Sequence, residues 1–406
     1  MMRARPVTVL LLLCAIATHA QVTRNYQVIL RSNFGSTTMW DGNVLDIYGF
    51  APTLADAPVV PGYTIYAEEG DSVIITARSV SQIHHHTIHL HGLDVDTRND
   101  GDPATSFSLS HMQDTTYTFV ARHAGTYIYH CHVGDVVHVQ MGMYASVKVK
   151  GAGGANTAWT GGPTYDRDYG WLMSEMDEDW HDNPPVHDDS TDTVVIPPYE
   201  PNYFLINGKS ETQLPPDSAI VVRGAVNERI YLRLTNIGFN DNRITFPASL
   251  HAQVIDSDGR PLPNAVDTDT LEVSPGERYG VMLTPDAEFN GTIQVQYIDL
   301  NTGIVLNTQT PPVIIEGFVG VNGPVVPEFS VHPVPASGPL YVDCPSIDGR
   351  SRITLYDVRG AAVPFIHPAI ITPGNATLNL SGIASGTYYL QLQCGEKLFA
   401  ERIVVE

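Results

Sequence analysis

The residues best suited to chemistry lie between His84 and Met143. Two short runs carry them: His84-His-His-Thr-Ile-His-Leu-His-Gly92 and Gly125-Thr-Tyr-Ile-Tyr-His-Cys-His132, the second followed by His138 and Met143. Both runs are rich in β-branched, aromatic and apolar residues, which predicts strands over 87–93 and 126–131. Successive side chains of a strand point to opposite faces. His89 and His91 therefore share one face of the first strand, and His130 and His132 share one face of the second. Pairing the two strands in one sheet puts four imidazoles on one side. Cys131 and His86 have the opposite parity, and His138 and Met143 follow on a glycine-containing loop that can close around the thiolate. Two imidazoles, a thiolate and a weak axial thioether form the ligand set of a blue-type copper centre. Four clustered imidazoles suit a second copper site. Zinc competes for His and Cys ligands, but the methionine and the alternating faces favour copper.

A lone histidine is usually a surface or satisfied core residue, and this pattern is too dense for that reading. His86-Thr-Ile-His89-Leu-His91-Gly92, with His130-Cys131-His132, His138 and Met143, resembles the copper-binding signature of multicopper oxidases, the laccase-like cupredoxins. The resemblance implies that His86, Cys131, His138 and Met143 are type 1 copper ligands. It implies that His89, His91, His130 and His132 belong to the type 2/type 3 cluster where oxygen is reduced. Asp100, in Asn-Asp-Gly-Asp-Pro, matches an acid that relays protons beside that cluster; a turn aspartate ahead of Gly101 is the plain alternative. One spacing departs from the pattern. Five residues separate His132 from His138, where three-domain laccases have three.

The elements that must position these ligands are strands. The chain has 406 residues, 29 prolines and 34 glycines, and few segments with helical periodicity, so the expected fold class is all-β. Two cupredoxin-like β-sandwich domains followed by a small C-terminal β-sandwich are expected. Arg3 and Arg5, the apolar run from Val7 to Ala17 and Thr18-His-Ala20 read as an export signal over 1–20, too short to span a membrane as a helix. The copper-binding domain then occupies 21–150 and an acidic linker 151–202. A second sandwich without copper ligands covers 203–317, and a Gly/Pro/Val linker covers 318–327. Between 203 and 317 the chain has one histidine, His251, and no cysteine, so His251 reads as structural. Phe204-Leu-Ile-Asn-Gly208 and Ser274-Pro-Gly-Glu-Arg-Tyr-Gly280 resemble the second cupredoxin domain of the same oxidases.

Residues 328–406 carry Ile353-Thr-Leu-Tyr-Asp-Val-Arg-Gly360 and Leu380-Ser-Gly-Ile-Ala-Ser-Gly-Thr-Tyr388, which resemble the C-terminal sorting domain of type IX secretion. That implies the type IX machinery as a partner and a secreted or cell-surface location, where Cys344 and Cys394 could pair as a disulfide. The formal charge of −22 argues against nucleic acid as a partner. The function expected is a copper-dependent oxidoreductase taking electrons from a phenol, an aromatic amine or a metal ion and passing them to oxygen. A copper nitrite reductase is the second enzyme reading, opposed by His89, where that family has an aspartate, and by the histidine-poor second domain. A non-enzymatic copper or electron carrier would leave the four-histidine face without a purpose. A full cluster needs eight imidazoles, and the chain offers four, so a homo-oligomer is expected.

Overall fold

The computed structural model describes residues 22–317 and 329–405, apart from 83, 186, 189–192, 195, 337, 359, 366–368 and 395–396. The export signal and the 318–327 linker lie outside the described residues. Contacts divide the chain into two compact units, 1–318 and 319–406. No helix among the described residues is long and apolar enough to cross a membrane.

The first sandwich contains strands β1 (Thr23–Thr38), β2 (Val44–Ala51), β3 (Ile65–Glu68), β4 (Ser72–Ser79), β5 (His89–His91), β6 (Asp114–Val120), β7 (Gly125–His130) and β8 (Tyr144–Lys150). They form two four-stranded sheets, ordered β2-β1-β4-β6 and β3-β8-β7-β5. Alternation explains the packing. Val73, Ile75 and Ala77 of β4 are buried while their neighbours are not, and they meet Tyr127, Tyr129 and Cys131 from the opposite sheet in one apolar core. Strand β7 is different, because all six of its residues are buried. One side faces that core. The other side, through Thr126 and Ile128, faces the second sandwich: Ile128 packs with Leu172 and Ile237.

The stretch expected to be an acidic linker is partly a strand. Arg167–Met176 (β9) enters a six-stranded sheet between Tyr203–Ile206 and Ile230–Asn236, with Arg278–Leu283, Gln253–Ser257 and Arg260–Asp267 completing it. The apolar side chains Trp171, Leu172, Met173 and Met176 outweighed the surrounding carboxylates, and all are buried. The acidic residues that follow start a short helix, α2 (Glu178–Asp182), whose first turn is capped by the Asp177 side chain accepting from the Asp179 and Trp180 amides. The fully buried Arg233 joins the two sandwiches. Its guanidinium meets Asp168 at 2.8 Å, donates to Thr126 Oγ1 of β7 at 3.3 Å and lies 4.3 Å from the Tyr231 ring centre.

The second unit folds as two four-stranded sheets around Leu340, Val342, Leu355, Leu378, Leu390, Leu392 and Ile403. Cys344 and Cys394 are both buried in that core as free thiols, so the expected disulfide is not formed; Ser351 Oγ lies 3.3 Å from Cys394 Sγ.

Two outcomes are expected. A chain ending at Gly317 should express as a soluble, cooperatively unfolding protein, as judged by circular dichroism and calorimetry. Asp168→Ala should destabilise the first unit by about 3–5 kcal/mol in denaturant titration, because Arg233 is left buried without its counter-charge.

Candidate metal centres

The register of β5 against β7 builds the first cluster. His89 pairs with His130, Leu90 with Tyr129 and His91 with Ile128. Directly opposed residues project to the same face, so His89 and His130 stand side by side, as parity required. Ring centres lie 5.1 Å apart for His89 and His130, 4.9 Å for His89 and His132, and 5.6 Å for His91 and His130. Ligand nitrogens of His89, His91 and His130 all lie within 4.8 Å of one another. His132 joins the cluster by its ring and sits just past the end of β7, its amide donating to Thr87 Oγ1 at 3.0 Å.

Hydrogen bonds select which nitrogen of each ring faces the cluster. His130 Nδ1 donates to the Cys131 carbonyl at 2.9 Å, and His89 Nδ1 donates to the Asp100 carbonyl at 2.8 Å, which turns both Nε2 atoms toward the cluster, where His130 Nε2 lies 3.4 Å from His91 Nδ1. Burial lowers the pKa of His130 to about 3 and, helped by the nearby Arg278 charge, that of His91 to about 4. Both rings are therefore neutral at pH 7, the form that binds metals. Asp100 Oδ2 lies 3.6 Å from His89 Nδ1, which places the acid beside the cluster. The turn is tight as well: Gly101 has φ 78°, and a Cβ there would fall 2.0 Å from the Ile88 carbonyl oxygen.

The second cluster sits on the opposite face of the same strand. Cys131, His86, His138 and Met143 are all fully buried. Cys131 Sγ is 3.6 Å from His86 Nδ1 and 3.3 Å from His138 Nδ1. Ligands about 2.0–2.3 Å from one ion stand about 3.5 Å apart in a tetrahedral set, so the two sulfur–nitrogen distances suit a shared cation. Ser81 Oγ, 2.6 Å from His86 Nε2, turns the other ring nitrogen toward the thiol. His138 is not on a loop. It lies on α1 (Asp135–Gln140), which starts after Gly134 at φ 51° and absorbs the longer spacing from His132. Met143 follows that helix; its carbonyl accepts from the Cys131 amide at 3.0 Å, and it shares the Cys131 core.

Neighbours distant in sequence complete the picture. Tyr48 of β2 presents its ring edge to His138 at 5.7 Å, and the His84 ring lies 5.7 Å from Tyr48 and 5.4 Å from His138. The second sandwich supplies no histidine but reaches the first cluster. Arg278 lies against Gly92, where a Cβ would fall 2.1 Å from its Nη2, and a Cβ on Gly276 would fall 3.1 Å from His91 Cε1. His251 pairs instead with Asp286 at 2.8 Å, half-exposed. Helix α1 is tethered to β9 and the segment after it: Gln140 Nε2 donates to the Glu175 carbonyl and to Tyr199 Oη, and Gln140 Oε1 accepts from the Asp177 amide. No local sequence signal marks Tyr48, Arg278 or Gly276, since each comes from a different strand or domain.

Paired sandwiches of this kind, with a buried Cys-His-His set in one of them, are the architecture of cupredoxins. Residues 57–153 and 174–309 each match a multicopper oxidase family model, and residues 330–406 match the secretion system C-terminal sorting domain. The chain belongs to the multicopper oxidase family, whose members bind type 1, 2 and 3 copper, and its tail marks it for export by type IX secretion to the cell surface or beyond. It is 24% identical to laccase-2 of Oryza sativa subsp. japonica over 327 residues, 79% of this chain and 54% of that protein. It is 31% identical to L-ascorbate oxidase of Cucumis sativus over 157 residues, 37% of this chain and 25% of that one. The chain thus spans about half or less of these curated relatives. Among solved structures, the blue copper oxidase from Nitrosomonas europaea superposes with a TM-score of 0.58 at 26% identity, covering 75% of this chain and 89% of that one. A copper nitrite reductase from the same organism shares the fold, at 19% identity and a TM-score of 0.53, over 72% of this chain and 94% of that one.

The tether below α1 has a pH consequence. Glu175 is buried, and desolvation raises its pKa from 4.5 to about 7. The native state holds this proton where the unfolded chain has released it. Stability from this group is present below about pH 4.5 and is lost as pH rises through about 7, a change on the order of 3 kcal/mol. Glu175→Gln should flatten that slope in denaturant titrations between pH 5 and 8.

Proposed function

We propose that this is an exported copper-dependent oxidase that takes single electrons from a reducing donor and delivers them to oxygen. His86, Cys131, His138 and Met143 hold type 1 copper, and His89, His91, His130 and His132 hold half of the oxygen-reducing cluster. The observation that carries this reading is the backbone adjacency of the two sets. Cys131 of one cluster is bonded directly to His130 and His132 of the other, so the centres share one short stretch of chain. Copper supplies the one-electron chemistry. The protein's own work is positional: Ser81 orients His86, the Cys131 and Asp100 carbonyls orient His130 and His89, and burial excludes water from the thiol. Asp100, beside His89 and about one-third exposed, is placed to pass protons between solvent and the cluster. The donor is a phenol, an aromatic amine or a metal ion.

Four imidazoles make an open half-site. His89, His91 and His132 are only partly buried, and the second sandwich offers no paired histidines to face them. A two-fold dimer that apposes two first sandwiches would bring eight imidazoles together, and two-fold contacts are the commonest kind. The site is incomplete without that partner copy.

Purified protein should carry type 1 copper with an intense visible band and a matching paramagnetic spectrum. Cys131→Ser should abolish the band while unfolding remains cooperative. Oxygen uptake with a phenolic donor is expected, without nitric oxide release from nitrite. Light scattering with metal analysis should report a dimer with a complete cluster; a monomer that reduces oxygen to water would overturn the shared-cluster arrangement.

A further inference from the structure

The buried type 1 set raises a question of access. His138 is fully buried, so no donor of molecular size can touch its ring directly. The Tyr48 ring packs edge-on with it. Tyr48 is partly exposed, its ring contacts both His138 and His84, and it forms part of the wall of a cleft of about 590 Å³. That cleft lies between the bulged part of β1, β2 and α2, and Met141, the residue capping α1, also lines it. Its remaining wall has a definite chemistry. Phe34 is an aromatic ring 82% exposed, held at φ 61° where β1 shifts register against β2. Asp46 and Asp182 are exposed carboxylates, and among the described residues the lining includes no lysine or arginine. An exposed aromatic ring, a second ring and two carboxylates with no opposing cation form a surface that attracts an organic cation, through ring faces as well as through charge.

We propose that this cleft is the electron-donor site, that it selects cationic aromatic donors such as aryl- and arylalkyl-ammonium compounds, and that Tyr48 is the positioning residue that sets the donor against the His138 ring. The proposal rests on the oxidase reading for its redox step but not for its binding step. In the redox step the donor would give up one electron to the oxidised copper that His86, Cys131, His138 and Met143 would hold, and the one-electron-oxidised donor would leave; Tyr48 and the two carboxylates are unchanged. Tyr48 provides a contact path across a gap that His138 cannot close by itself. Asp46 and Asp182 belong to separate elements, β2 and α2, so the segment after β9 contributes to the site even though it holds no metal ligand.

Binding is tested first on metal-free protein with phenyltrimethylammonium, which resists oxidation, by ligand-observed nuclear magnetic resonance at low ionic strength. Asp46→Asn combined with Asp182→Asn should weaken binding about five- to tenfold, the size expected for two exposed charges. Asp267→Asn combined with Glu272→Gln, two exposed carboxylates outside the cleft, should leave it unchanged. Equal weakening in both variants would mean general attraction to an acidic protein and would overturn the site. The copper-loaded protein is then mixed with (ferrocenylmethyl)trimethylammonium or ferrocenecarboxylate, and bleaching of the type 1 band is followed by stopped flow. The cation should reduce the centre faster than the anion, and the cleft variant should narrow that gap. Tyr48→Leu should slow reduction by the cation at least tenfold while the visible spectrum of the oxidised protein stays the same. Unchanged rates in Tyr48→Leu would overturn its role. A colourless protein that still binds the ammonium probe in the cleft would refute the oxidase reading and leave the binding site standing.

Discussion

Everything in the first unit depends on β7 being buried on both sides. A strand with one wet face could carry ligands on only one side and keep them dry. Here Tyr127, Tyr129 and Cys131 face the core of the first sandwich, while Thr126, Ile128 and His130 face outward toward the second. The thiol is thereby fully buried, and His130 and His91 are held neutral at the border between the two sandwiches. The second sandwich contributes no ligand, yet Leu172, Ile237, Arg233 and Arg278 form the wall that makes the second face of β7 an interior.

Much of the metal chemistry was legible in the sequence because strand parity is an arithmetic property. The facing of His89 with His130, and the opposite projection of Cys131, follow from position numbers alone once the two strands are paired. Asp100 was legible as a candidate, and its carbonyl and carboxylate both lie near His89. His138 was expected on a loop because Gly134 and the added spacing hid a short helix, whose amphipathic pattern is too brief to detect. The linker reading missed β9 because its carboxylates cluster at its C-terminal end, while the burial that decides its fate comes from Trp171, Leu172 and Met173. Tyr48, Ser81, Arg278 and Gly276 could not be found from sequence. Tyr48, Arg278 and Gly276 meet the metal centres only in the tertiary packing, and Ser81, although just five residues before His86, carries no local pattern that marks it.

The two carboxylates at the proposed donor cleft and the carboxyl of Glu175 illustrate opposite uses of the same group. Asp46 and Asp182 stay in solvent and act at range through charge. Glu175 is taken out of water and acts by contact, accepting from the Asn240 amide at 3.0 Å to fix the loop that covers β9. The strongly negative composition therefore does not describe a uniform acidic surface. Part of it is structural, and Glu175 is only partly ionised at neutral pH.

Because the two ligand sets alternate along one strand, they also share one vulnerability. Shifting β7 by a single residue would reverse every projection: Cys131 would turn toward the four-imidazole face and His130 would turn into the hydrophobic interior. Each centre would then receive the other's donor atoms. Neither set can be assembled correctly before β5, β7 and β8 have locked their alignment. A cation captured by the nascent chain would stabilise whichever alignment it met first. Metal acquisition in such a protein is best ordered after the sheet closes, which makes timing, and not only affinity, a condition for obtaining the right metal in the right place.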